Sequence, residues 1–246
     1  MSVQQRSANL AKNFYEGKQV NILKSFNKQY ECAKKYLVQR FDESTASKIH
    51  DDTIEQIRKL IPQLPDVGGK NNQFLPVVLF CAWYIPFYKA ASKQGMSADE
   101  YVKMMTHAVH EAFTRYPGFI RHLGGKFVRS GFFMRIMKKH AAISQRGEYP
   151  KDWIYSVSAA TNDPDIFFEV EYSQCAVCIL MKETGAEELM PYCNFVDFIM
   201  AKSLGYGFEN PRVIGRGDAT CVEIFRKDGK CEIPDYLKFA FERLRF

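Results

Sequence analysis

WIYSVSAATNDPDIFFEVEYSQCAVCILMKET, residues 153–184, is the stretch where the chain changes its period. WIYSVSA (153–159) and FFEVEYS (167–173) alternate apolar and polar positions and are rich in β-branched and aromatic side chains, as half-buried strands are. TNDPD (161–165) between them has turn composition, so the pair reads as antiparallel. Ala176 to Thr184 then returns to helical spacing and stops at Gly185.

Upstream the reading is helical. Val20–Phe41 and Asp52–Ile61 carry apolar residues at three- and four-residue steps, and residues 62–73 form a Pro/Gly/Asn-rich loop. Phe74–Ala91 is a buried helix with Pro76 in its first turn and a kink or an end at Pro86. Ser97 and Glu100 make a capping box, with Met96 and Tyr101 as its hydrophobic staple, for a helix running to about Tyr116. A further helical stretch, Phe119–Ser144, is loosened at Gly124-Gly125 and Gly131. Downstream, Glu187–Leu204 reads as helix and Ala219–Arg226 as strand. Asp228-Gly229 reads as a hairpin leading to Cys231-Glu232-Ile233, and Pro234 opens a last helix, Asp235–Arg245. The expected fold is α+β in one domain, residues 1–246. A helical N-terminal half (1–150) packs on a small antiparallel sheet with flanking helices (151–246).

With 46% hydrophobic residues and 20 Phe among 246, the chain can fill a core, which excludes global disorder. Seven cysteines cannot all pair, and the polar opening MSVQQRSANLAKNFYEG lacks a secretory pattern. A cytoplasmic location with free thiols is expected. The longest apolar run, Phe74–Tyr88, is short for a bilayer span and holds two prolines, so no membrane partner is expected. The net charge of +6 hides two opposed blocks: residues 101–150 hold nine Lys/Arg against two Asp/Glu, and residues 151–200 hold two against nine. Such blocks compensate one another, which argues against nucleic acid as a partner. In the basic stretch Lys126–His140, the apolar face of Phe127, Phe132, Phe133 and Ile136 is expected to pack on the core rather than on a membrane.

The C-terminal third concentrates the ionisable sulfur. Cys175 and Cys178 form C-x-x-C at the strand-to-helix junction, Cys193 lies four residues before Asp197, and Cys221 opens a strand. A thiol at a helix N-terminus meets free backbone N–H groups that favour thiolate. The pair therefore suits redox chemistry, metal ligation or nucleophilic attack; Cys is equally a small buried apolar residue. A zinc set of Cys175, Cys178, Cys193 and Cys221 has only one close pair, and no His follows residue 140, so no metal is expected. His107 and His110 precede Glu111 in H-x-x-H-E order, which is not the zincin arrangement, and read as half-buried structural histidines.

The segments DWIYSVSA, FFEVEYSQC, ETGAEELMPYCNFVD and GRGDATCVEIF, across residues 152–226, resemble in order and spacing the L-2-amino-thiazoline-4-carboxylic acid hydrolase family. The matching positions are Cys175, Gly185, Glu188, Leu189, Cys193, Asp197, Gly217, Cys221 and Phe225. Cys178 falls outside the pattern, the Asp that follows the last Cys stands here as Val222-Glu223, and the Thr upstream of the last Gly is absent from PRVIGRG. The resemblance implies an α+β hydrolase that opens a cyclic isothiourea with water to give a carbamoyl-cysteine, with no cofactor. Its partner would be a small carboxylate-bearing substrate; a homo-oligomer is left open. Cys175 or Cys193 would serve as nucleophile or Asp197 as the base activating water, with Cys221 facing the same cavity. The substrate carboxylate calls for an Arg fork, for which Arg216 is nearest and Arg121, Arg129 and Arg135 are further candidates. The alternative is a non-catalytic small-molecule- or metal-sensing domain, distantly similar to vinyl-reductase-type ligand-binding domains.

Overall fold

The computed structural model describes residues 11–159 and 163–246; the MSVQQRSANL opening and part of the TNDPD connection lie outside the described residues. The fold is α+β, as expected. A helical stretch over residues 11–16 precedes helices α1 Gln19–Arg40, α2 Glu43–Leu60, α3 Leu75–Ser92, α4 Ala98–Thr114, α5 Gly118–Val128 and α6 Gly131–Ser144. Strands β1 Ile154–Ala159 and β2 Ile166–Gln174 follow, then α7 Ala176–Glu183 and α8 Phe195–Leu204. Strands β3 Gly207–Arg212 and β4 Cys221–Arg226 and helix α9 Asp235–Phe241 complete the chain.

Local chemistry sets most of these boundaries. The capping box forms: Ser97 Oγ accepts from the Glu100 N–H at 3.2 Å, and Glu100 Oε2 accepts from the Ser97 N–H at 2.9 Å. Asp42 caps α2, its Oδ1 accepting from the Thr45 N–H at 2.6 Å. That cap starts the helix well before Asp52, where the apolar spacing alone placed it. Helix α3 continues through Pro86, so the chain does not end its helix there as one of the two expectations had it. Pro86 is buried in the most apolar helix of the chain, and packing against α1, α2 and α4 offsets the hydrogen bond its ring removes. By length and composition α3 is apolar enough to cross a membrane, yet 61% of that window is buried inside the fold, as in a core helix.

Two expectations about breaks and strands need correction. The helical stretch from Phe119 divides at Arg129-Ser130, next to Gly131 as expected, but not at Gly124-Gly125. Those glycines instead let α5 press on α8, since a Cβ at Gly125 would stand 2.0 Å from the Leu204 carbonyl oxygen. Residues 231–233 form no strand; β4 pairs with β3 instead, and the residues after Asp228-Gly229 contribute a single backbone bond, Phe208 N to Lys230 O at 2.9 Å. The Glu187–Leu204 stretch is a 3-10 helix, Glu187–Tyr192, followed by α8, with Pro191 at the change.

The sheet has the order β1-β2-β4-β3, antiparallel throughout. Tyr172 pairs with Cys221, Val170 with Glu223 and Phe168 with Phe225, so all six side chains share one face. That face is apolar at one end, where Phe168 and Phe225 stack at 4.3 Å and Phe133 of α6 packs on both. At the other end it presents Tyr172, Cys221 and Glu223. Helices α3, α7 and α8 approach this polar end, bringing Cys81 and Tyr84, Cys175 and Cys178, and Asp197.

Candidate thiol and carboxyl site

Cys175 is the N-cap of α7, held extended at the end of β2. One helical turn on, Cys178 faces the same way, and its thiol neighbours those of both Cys175 and Cys193. Cys193 ends the 3-10 turn that leads into α8, and Asp197 lies in the first turn of that helix. Cys221 and Glu223 extend from β4, where Asn210 Nδ2 of β3 donates to the Cys221 sulfur at 3.4 Å. The charges of Cys175, Cys193, Asp197, Cys221 and Glu223 are felt mutually, so these groups share one interior region between the helical half and the sheet. The four predicted residues, Cys175, Cys193, Asp197 and Cys221, are brought together.

Cys178 and Glu223 belong to the same cluster, although the resemblance left Cys178 outside it. Cys178 is buried; Cys175, Cys193, Asp197, Cys221 and Glu223 are half-buried, each keeping some accessible surface.

Burial raises the carboxyl pKa of Asp197. It raises Glu223 too, with the charge of Asp197 adding to the effect and the hydrogen bond from the Tyr172 hydroxyl, at 3.0 Å, opposing it. The thiols are suppressed as well, and this corrects the expectation of a helix-activated thiolate at Cys175. Its contact with Cys178 and its burial push Cys175 well up, against a weaker pull from the backbone amides of Cys178 and Val177. Cys178 is lowered by its contact with Cys175, but its contact with Cys193 and burial prevail and push it up to about 12. Burial and then the charge of Glu223 raise Cys221. Cys193 differs: its largest influence is the contact with Cys178, which lowers its pKa, while burial and neighbouring charges turn the net shift upward.

Asn194 beside Cys193 is buried, donating through Nδ2 to Asn210 Oδ1 at 2.5 Å and to the Tyr236 hydroxyl at 2.7 Å. Its own Oδ1 is buried without a partner. The Arg216 guanidinium lies 3.9 Å from the Tyr236 ring centroid and is exposed, which puts it at the rim of this region. The turn carrying it packs on Cys193: a Cβ at Gly215 would stand 2.0 Å from Met190 O and 3.3 Å from Cys193 Sγ.

Arg121 and Arg129 do not join the site. Both lie on or just after α5, where Arg121 neighbours His110 and Arg129 Nε donates to Gly125 O at 3.4 Å. Arg135 is exposed on α6. His107 and His110 are half-buried, and burial lowers both. Among the described residues no three His, Cys, Asp or Glu side chains converge as metal ligands would.

A separate cleft of about 230 Å³, lined in part by Asn72, His140, Tyr149, Asp152 and Tyr155, contains none of the cysteines. Both Asp152 oxygens accept from Asn72 Nδ2, at 2.8 and 2.9 Å, and Oδ1 also accepts from the Trp153 N–H at 2.8 Å. These bonds tie the 62–73 loop to the start of β1, a structural role.

The residues sequence reasoning missed are Tyr172, Asn194, Asn210 and Glu223. Only the Val222-Glu223 departure signalled one of them. No protein-family model, curated protein or solved structure gives a significant match to the chain.

Proposed function

We propose that the protein hydrolyses a small, carboxylate-bearing nitrogen–sulfur heterocycle of the 2-amino-thiazoline-4-carboxylate type. The observation carrying this reading is the pairing of Asp197 with Glu223 in a half-buried, thiol-walled interior. Two interacting carboxyls with raised pKa values supply one protonated and one ionised member near neutral pH, which is what combined acid and base catalysis requires.

Water is the nucleophile in this reading, because the surrounding thiols are held protonated. Asp197, ionised, takes a proton from water as its oxygen adds to the ring carbon between nitrogen and sulfur. That proton passes to the ring nitrogen, whose double bond to the carbon becomes single. The new hydroxyl then gives its proton to Asp197 as the carbonyl forms, the carbon–sulfur bond breaks, and the sulfur leaves as a thiol with the proton held by Glu223. The proton on Asp197 returns to Glu223, and the product is a carbamoyl-cysteine. Asn194 Oδ1 is suited to accept from the amidine N–H, and Arg216 at the rim is suited to the substrate carboxylate. Cys193 contributes contact with the ring, and it is the thiol best disposed to attack should a covalent route operate.

The test incubates the purified protein with 2-amino-thiazoline-4-carboxylate and follows carbamoyl-cysteine by mass spectrometry and new thiol by colorimetry. Asp197→Asn should lose about 10²–10⁴-fold in turnover with its circular dichroism unchanged. No turnover above the protein-free blank, or undiminished turnover in both Asp197→Asn and Cys193→Ala, refutes the proposal.

A further inference from the structure

Helices α5 and α6 carry an outward face that no described residue covers. On α5, Phe119, Ile120, Leu123 and Phe127 fall within about 100° of arc at 3.6 residues per turn, and they are 68%, 44%, 58% and 47% exposed. The opposite side of α5 holds Gly125 and Val128, which are buried, so this stripe points away from the core. On α6, Phe132, Arg135, Lys139 and Ile143 follow at three- and four-residue steps on the side opposite buried Met137 and Ala141. Phe132 is 63% exposed. The two helices meet at an aromatic cluster, with Phe127 6.3 Å from Phe132 and 5.4 Å from Phe133. Phe133 in turn packs on Phe168 and Phe225, so the exposed rings are anchored to the sheet.

The expected packing of this segment on the core therefore holds for only one side of it. The charge pattern indicates what the other side suits. Residues 112–147 contain eight Lys and Arg and no Asp or Glu. Lys126, Arg135 and Lys139 are exposed, and among the described residues none of them lies within ion-pair distance of a carboxylate. Large exposed apolar side chains interleaved with unpaired cations, on two adjoining helices, match the boundary between anionic headgroups and acyl chains.

We infer that the α5–α6 face docks on the surface of an anionic lipid bilayer, with Phe119, Leu123, Phe127 and Phe132 entering the interface and Lys126, Arg135 and Lys139 meeting the phosphates. The protein lies on the membrane in this state and does not span it.

Co-sedimentation of the full chain with phosphatidylcholine vesicles, with and without phosphatidylserine, tests this. Binding should require the anionic lipid and weaken as salt rises. Arg135→Glu with Lys139→Glu should weaken it by about tenfold or more, and Phe119→Ser with Leu123→Ser and Phe132→Ser should weaken it comparably. Phe132→Trp should show a blue-shifted emission on anionic vesicles only. These positions are on the surface, and unchanged thermal melting keeps the variants interpretable. Absence of binding to anionic vesicles at low salt overturns the inference. So does binding that survives loss of the apolar residues, which marks adsorption by charge alone. A blue shift of the Phe132→Trp protein without lipid, together with dimerisation in sedimentation velocity, would assign the face to a second copy of the chain instead.

Discussion

The Tyr172 hydroxyl donates to Glu223 Oε2 at 3.0 Å across the β2–β4 ladder, joining the aromatic interior of the sheet to its carboxyl pair. Tyr172 is itself held protonated, chiefly by burial, and then by the charges of Glu223 and Asp197. The bond thus has a fixed donor, and it favours the ionised form of Glu223 against burial and the charge of Asp197.

Removing that donor should move the titration of the pair. Tyr172→Phe deletes only the hydroxyl, so Glu223 should hold its proton to higher pH. In a profile of turnover against pH, the limb assigned to the carboxyl acid shifts upward, while Asp197→Asn lowers the whole curve. An unmoved alkaline limb in Tyr172→Phe would separate Glu223 from the reaction.

Stability should fall as pH rises. Asp197 goes from 3.8 to about 7 and Glu223 from 4.5 to about 8, so the folded state binds more protons than the unfolded state between these limits. Their contribution is complete below about pH 4 and is lost as pH rises through about 7 to 8. Melting temperatures from pH 5 to 9 should decline more steeply for the unsubstituted protein than for Asp197→Asn with Glu223→Gln. Parallel curves would contradict this.

Thiol reactivity should be graded. Within the cluster, Cys193 should be alkylated by iodoacetamide ahead of Cys175, Cys178 and Cys221, because its contact with Cys178 offsets part of the rise that burial and neighbouring charges give its pKa. Peptide mass spectrometry after timed labelling at pH 8 gives the order. First labelling at Cys175 would restore the helix-activated thiolate expected from its N-cap position.

Gly125→Ala should destabilise by about 1–3 kcal/mol, because the added methyl meets the Leu204 carbonyl, which is backbone and yields little. Gly131→Ala meets nothing within 4 Å and should stabilise by up to about 1 kcal/mol through helix propensity. Chemical denaturation of the two variants measures the contrast; equal effects would mean that α5 is free to move off α8.

What the sequence disclosed follows from the range of the forces involved. The capping box at Ser97, the alternation in β1 and β2, and the helical stop at Gly185 are local, and all three are legible. β3 is not, because GFENPR contains Gly and Pro and buries its face through Phe208 and Asn210 alone, as an edge strand can. Gly124-Gly125 reads as a break because nothing local says that Leu204 will lie against it. The order of Cys175, Cys193, Asp197 and Cys221 identified the region, whereas Glu223 and Tyr172 enter only through the β2–β4 register. Cys178 is one helical turn from Cys175, yet its contact with Cys193 depends on how the 3-10 turn before α8 folds back.

Gly215 constrains how this molecule can change over evolutionary time. Any larger residue there collides with the Met190 carbonyl before it reaches the Cys193 sulfur. The wall that this turn presents to Cys193 therefore cannot be reshaped by a single substitution at Gly215, and descendants of this sequence that keep the Met190 turn should keep the glycine.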